Sequence, residues 1–297
     1  MAAATAALAV APLYAFGLIA DVQLSTSPNY PQPGAPPLVG QVGWAPGGPP
    51  YAVVYDAQYT RAYRGSMRIL EAAVGSWRAQ GLPAAVVLGD LLDKTAMRSQ
   101  PPVVDECLAA LKAALAPGPP CHFLFGNNDG DVLGRERWVR EGFAPRGAPP
   151  GRLYYAAQPA PGVRLVFLDT YDESTASASS EEARARALAH LRSVNARLAD
   201  GAEPWDEHKF AGYPARFPEG GAVSLTDAYA TQTYNGQPGA AQMDWLRQQL
   251  AEAQASGERV IVFGHCPAHP FTCKPDGLVW NHSALRELLE GHSCVQA

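Results

Sequence analysis

The chain is 297 residues long, 47% hydrophobic and 17% charged, the profile of a folded protein able to bury a substantial core. Its formal net charge is −5 with both signs dispersed, so no basic face is available to neutralise phosphates and nucleic-acid binding is disfavoured. Beyond the apolar N-terminus no run reaches the roughly 20 residues that a bilayer span requires, so no membrane partner is expected.

The first twenty residues are apolar, but no Lys or Arg precedes Arg61, Pro12 interrupts the run, and it flows directly into Asp21. They read as a first core strand behind an Ala-rich leader rather than as a signal peptide. Pro (27) and Gly (28) concentrate at 28–50 and 145–162, which read as long irregular loops. A helix follows in "GSMRILEAAVGSWRAQG", where Met67, Leu70, Val74 and Trp77 recur at helical spacing and Gly81 provides a stop. Leu108, Leu111 and Leu115 mark a second helix, ended by "PGPP", and Leu188, Leu191, Val194 and Leu198 a third. A fourth carries Met243, Leu246 and Leu250 up to Gly257; a fifth starts near Asn281 or Ser283 with Leu285, Leu288 and Leu289. Between them lie the β-type runs "AAVVL" (84–88), "CHFLF" (121–125), "LYYAA" (153–157), "VRLVFL" (163–168) and "RVIVF" (259–263). Strands alternating with helices predict an α/β fold. The less regular stretch 171–240 reads as an insertion over the sheet edge, a substrate cap.

The five cysteines (Cys107, Cys121, Cys266, Cys273, Cys294) are odd in number and form no CxxC pair, which fits a reducing, cytoplasmic setting.

Four strands end alike. "FGLIAD" delivers Asp21, with Gln23 two residues on; "VVLGD" delivers Asp90, "FLFGNND" Asn127, and "VIVFGH" His265. Gly89, Gly126 and Gly264 each precede the polar residue, where a Cβ would hinder a sharp turn. A single Gly-Asp after a strand is ordinarily a turn, and a single His a loop residue. Four such endings in order point instead to one crevice at the carboxyl ends of neighbouring strands. Its ligands are mostly oxygens, suiting Mn²⁺ or Mg²⁺ better than structural zinc. A carboxylate such as Asp90 is able to bridge two ions, an arrangement that activates water and neutralises phosphoryl oxygens.

These residues resemble the calcineurin-like metallophosphoesterase superfamily, whose D-x-H, G-D-x-x-D, G-N-H-D/E and G-H motifs read here "DVQ", "GDLLD", "GNND" and "GHCPAHP". Gln23 in the D-x-H position is characteristic of the manganese-dependent ADP-ribose/CDP-alcohol diphosphatases. "YRGSMRILEAAVGSW", "LVFLDTYDES", "YNGQPGAAQMDWLRQQL" and "LVWNHSALRELL" are similar to that family too. The resemblance implies a single domain over 1–297 with a four-layer α/β/β/α sandwich, two divalent ions (Mn²⁺, with Mg²⁺ as the alternative), and a small nucleotide diphosphate as substrate. Asp21, Gln23 and Asp90 would hold one ion, and Asp90, Asn127 and His265 the other. Asp93, Asp129 and His269 are candidates for supporting contacts around the ligands.

Two departures qualify the expectation. Asn128 stands where the family carries a histidine near the leaving oxygen, and an amide donates a hydrogen bond but no proton. The given sequence also ends at "GHSCVQA", before the family's G-H-x-H motif and final strands, so the domain is expected to be incomplete at this end. His282 and His292 lack that motif and read as solvated helix histidines. A metal-dependent pyrophosphate hydrolase is therefore weighed against a catalytically impaired member that binds a nucleotide or a partner. A general phosphomonoesterase or phosphodiesterase is disfavoured by Gln23.

Overall fold

The computed structural model describes residues 14–24, 39–41, 52–54, 63–93, 101–149, 151–194, 235–273 and 277–295. Strand β1 is Gly17–Ile19, and the antiparallel pair β2 (Val39–Gln41) and β3 (Ala52–Val54) follows. Helix α1 (Tyr63–Ala79), β4 (Ala85–Val87), α2 (Pro101–Leu115) and β5 (Cys121–Phe123) come next. Two short helices, α3 (Asn127–Val132) and α4 (Gly134–Arg140), precede β6 (Tyr155–Ala160) and β7 (Val163–Phe167). The remainder is β8 (Glu173–Ser174), α5 (Glu181–Val194), β9 (Gly236–Gln237), α6 (Ala240–Ser256), β10 (Arg259–Phe263) and α7 (His282–Glu290).

The five helices predicted from apolar spacing all form. In α1, Leu70, Val74 and Trp77 are buried, and the Leu82 N–H closes back on the Trp77 carbonyl at 3.0 Å. Helix α6 ends the same way, with the Glu258 N–H on the Ala253 carbonyl at 2.8 Å. This six-to-one bond satisfies an orphan carbonyl and ends each helix at the predicted glycine. Helix α2 opens on two prolines, whose missing N–H groups cost nothing in a first turn. Leu198 and most of 171–240 lie outside the described residues.

One sheet has the order β1-β4-β5, wholly parallel; the other is β10-β7-β6, with β10 and β7 parallel and β6 antiparallel to β7. Val86 and Leu124 from the first sheet's side cluster with Val163, Leu165, Phe167 and Phe263 of the second. Aromatic rings fill this contact: Phe167 stacks on Phe263 at 5.2 Å, on Tyr155 at 4.5 Å and on His122 at 4.7 Å. A second cluster joins helix residues such as Leu70, Leu111, Leu246 and Leu250 to Ala85, Val87, Val166 and Val260. The result is a mixed α/β fold in which the carboxyl ends of β1, β4 and β5 meet that of β10. Val295 forms an isolated parallel bridge with Val260, beside β10.

Two expectations about loops are corrected. Val39–Gln41 lies inside a stretch read as irregular, yet pairs with Ala52–Val54. The segment after β5, for which no helix was expected, is helical from Asn127 and again from Gly134. Among the described residues no helix is long and apolar enough to cross a membrane.

Candidate metal centre

Asp21, Asp90 and His265 converge: each offers a ligand atom, and those atoms lie within 4.8 Å of one another. Asp21 is exposed, Asp90 is 2% exposed, and the His265 side chain is one-tenth exposed. Asp21 follows β1, Asp90 follows β4 and His265 follows β10, so both sheets contribute.

The backbone holding them is strained. Asp21 (φ 48°), Gln23 (φ 43°) and Asp90 (φ 54°) are the only non-glycine residues with positive φ among those described. An L-residue pays on the order of 1–2 kcal/mol for this conformation, which persists only where surroundings enforce it. Here they do. Pairing of β1 with β4 continues past both strands through Asp21 N–H to Gly89 carbonyl (3.3 Å), Gln23 to Asp90 (2.9 Å) and Leu24 to Leu91 (2.9 Å). These three strained residues are also candidate oxygen donors, a coincidence of the kind found at functional sites.

Glycines permit the approach. A Cβ on Gly126 would fall on Asp90 Oδ1 and 2.6 Å from the Asp90 nitrogen. Gly89, at φ 97°, would place a Cβ 2.8 Å from His265 Nδ1. Gly264 is not under such constraint, the nearest atom to its Cβ position being 3.3 Å away.

His265 Nδ1 lies 2.7 Å from the Leu88 carbonyl, which can only accept. The proton therefore belongs on Nδ1, and Nε2 turns its lone pair into the site, 3.6 Å from Asp90 Oδ1. Burial lowers the His265 pKa, but the Asp90 and Asp21 carboxylates outweigh it and leave it raised. The same negative charge would attract a cation.

Gln23 joins the triad, its Nε2 3.3 Å from Asp21 Oδ1 and 3.4 Å from Asp90 Oδ2. Asn127 opens α3, and its Oδ1 accepts from the Tyr171 hydroxyl at 3.4 Å. Asn128 is buried and donates its backbone N–H to Asp90 Oδ1 (2.9 Å) and its amide to Asp90 Oδ2. Asp129, fully buried, accepts the backbone N–H groups of Asp90 (2.8 Å), Leu91 (2.9 Å) and Gly126 (3.0 Å). Burial and the nearby Asp90 carboxylate raise its pKa against the Gly126 and Leu91 N–H groups. Asp93 is buried, its N–H bonded to the Leu24 carbonyl at 3.1 Å. His269 bonds within its own loop, to Phe271 and Thr272.

His282 is a correction: at 4% exposure it is buried in the first turn of α7, not solvated. His292 is half-buried, with Nδ1 2.9 Å from the Leu288 carbonyl. Neither belongs to the converging group. Cys266, beside His265, is no thiolate: burial pushes its pKa to about 11, and its Sγ lies 3.2 Å from the Tyr171 hydroxyl.

Two residues near the site escaped sequence reasoning. Tyr171 is buried with its ring 5.8 Å from that of His265. Arg135 on α4 donates to Asp169 Oδ2 (2.6 Å) and to the carbonyls of Tyr171 (2.8 Å) and Ser177 (2.6 Å). "LDTYDES" was the available signal for Tyr171; Arg135 had none.

No protein-family model matches the chain. It is 29% identical over 302 residues to the manganese-dependent ADP-ribose/CDP-alcohol diphosphatase of Danio rerio, covering 96% of this chain and 79% of that protein. Identity to the enzyme of the same name from Arabidopsis thaliana is 28% over 299 residues, covering 96% and 78%. The crystal structure of a dimetal phosphatase from Danio rerio matches with a TM-score of 0.73 at 27% identity, over 96% of this chain and 80% of that one. By sequence along its length and by fold, the chain is similar to the manganese-dependent ADP-ribose/CDP-alcohol diphosphatases and to a dimetal phosphatase, a likeness that supports a hydrolase.

Proposed function

We propose that the chain hydrolyses the pyrophosphate bond of a small nucleotide diphosphate such as ADP-ribose or CDP-choline, releasing a nucleoside monophosphate. The observation that carries this reading is the approach of Asp21, Asp90 and His265 within 4.8 Å on strained strand ends. The donor set fits divalent manganese: carboxylates, an amide and one imidazole with its lone pair turned inward. Asp21, Gln23 and Asp90 would hold one ion and Asp90, Asn127 and His265 a second, with Asp90 between them. Such ions, when bound, neutralise phosphoryl oxygens and activate water.

The chain's own residues do the rest. Leu88 fixes the His265 tautomer, Asp129 holds the Asp90 loop against α3, and Asn128 restrains the Asp90 carboxylate. The two sheets with their helices are consistent with a four-layer α/β/β/α sandwich, and 171–240 would serve as its cap. An odd number of cysteines with no CxxC pair fits a cytoplasmic setting.

A second reading, a member that binds nucleotide with little turnover, is favoured by Asn128. Its amide is engaged with Asp90 and supplies no proton, and loss of a general acid costs about 10²–10⁴-fold. The purified chain, assayed with ADP-ribose and CDP-choline in Mn²⁺ beside Asp90→Ala, separates the two. Metal-dependent turnover above the control supports the hydrolase. Nucleotide binding without such turnover supports the second reading.

A further inference from the structure

A cleft of ≈ 420 Å³ opens at the β6 edge of the second sheet, against α6. Arg146, Arg152, Tyr154 and Trp245 line it, and β7 separates its edge from β10, which carries His265. None of its residues is a candidate metal ligand.

Each arginine stands on a closed turn. The Ala148 N–H bonds the Pro145 carbonyl (2.9 Å), with Arg146 next and Gly147 at φ 80°, the geometry of a type II turn. The Arg152 N–H closes on the Pro149 carbonyl at 2.9 Å. Neither guanidinium has an ion-pair partner among the described residues. Among the described residues Arg135, Arg137, Arg164, Arg186, Arg247 and Arg286 have acidic partners. Among the described residues these two cations share one concavity, while the Asp169 and Asp172 carboxylates also act on Tyr154 at its wall.

The walls are aromatic. Tyr154 and Trp245 lie 4.8 Å apart, tilted by 50°, and the Arg152 guanidinium covers the Tyr154 ring at 5.0 Å. Stacking on that ring occupies one face of the guanidinium and leaves its N–H fork to grip an anion bidentately. The volume lies within the about 300–1,000 Å³ range of small-molecule pockets. Aromatic side chains beside guanidinium groups suit a ring bearing a phosphate. We propose that this cleft is a second ligand site, outside the metal centre, for a nucleoside monophosphate.

The probe is AMP, titrated calorimetrically into the full chain with EDTA present and repeated in Asp90→Ala, so failure of the metal centre leaves the result readable. Saturable binding is expected in both. Arg146→Ala and Arg152→Ala, both exposed turn substitutions, should each weaken it about tenfold. Adenosine and inorganic phosphate should each bind at least about tenfold more weakly than AMP, since each satisfies only one half of the site. No saturable AMP binding in EDTA, affinity unaltered in both arginine variants, or phosphate binding as tightly as AMP would each overturn the proposal.

Discussion

Asp129 accepts the backbone N–H of Asp90 at 2.8 Å, tying the start of α3 to the loop after β4. The same carboxylate takes the N–H groups of Leu91 and Gly126, so one buried side chain sets the spacing of two strand ends. Asp129→Ala would leave three buried N–H groups without their acceptor. Each such loss costs about 1–3 kcal/mol, so urea unfolding should report a destabilisation of at least about 3 kcal/mol. A change below about 1 kcal/mol would mean that the loops hold their geometry by other means.

Gly126→Ala tests the closeness of the approach. The added methyl overlaps Asp90 and comes within 2.9 Å of His265 Cε1, so the triad must open. Mn²⁺ affinity, read by calorimetry, should fall by at least about tenfold, the effect of disturbing groups that orient metal ligands. Circular dichroism should stay close to that of the wild type, because the substitution lies outside the sheets.

Arg135→Met removes the cationic partner that Asp169 has among the described residues, both side chains being buried. Breaking a buried pair from one side costs about 3–5 kcal/mol. The loss should appear as a lowered urea midpoint with unchanged m-value. Because Arg135 also holds the Tyr171 and Ser177 carbonyls, proteolysis should speed up first in 171–177.

Acid should destabilise the fold through His122. Burial between Phe167 and Tyr155 lowers its pKa below the ordinary 6.5. The unfolded chain therefore binds the proton more readily than the native one, so stability is full above about pH 6.5 and declines as pH falls through that value. His122→Phe should flatten the profile between pH 7 and pH 5 in thermal melts. An identical profile in this variant would assign the acid sensitivity elsewhere.

Periodicity located the long elements because burying one face of a helix or strand fixes which positions must be apolar. Leu70, Val74 and Trp77 are an example, all buried at the predicted spacing. It missed α3 and α4 because polar "GNNDGD" and Gly134 interrupt any apolar stripe, and tertiary contacts from Asp129 and Arg135 hold these helices instead. The ligand candidates were legible as polar residues ending apolar strands. Their left-handed backbone was not, since Asp21, Gln23 and Asp90 adopt it under constraint from the neighbouring strand end rather than by preference. The role of Asn128 was half legible: its lack of a proton donor follows from residue type, its grip on Asp90 only from three-dimensional contact.

The most direct test of the metal centre is a Mn²⁺ titration of the full chain followed by electron paramagnetic resonance, beside Asp90→Ala. With Asp90 shared between two ions, the wild type should take up two Mn²⁺ per chain and the variant should lose both at the same concentrations. Equal stoichiometry and affinity in Asp90→Ala would contradict the assignment of this site as the metal centre.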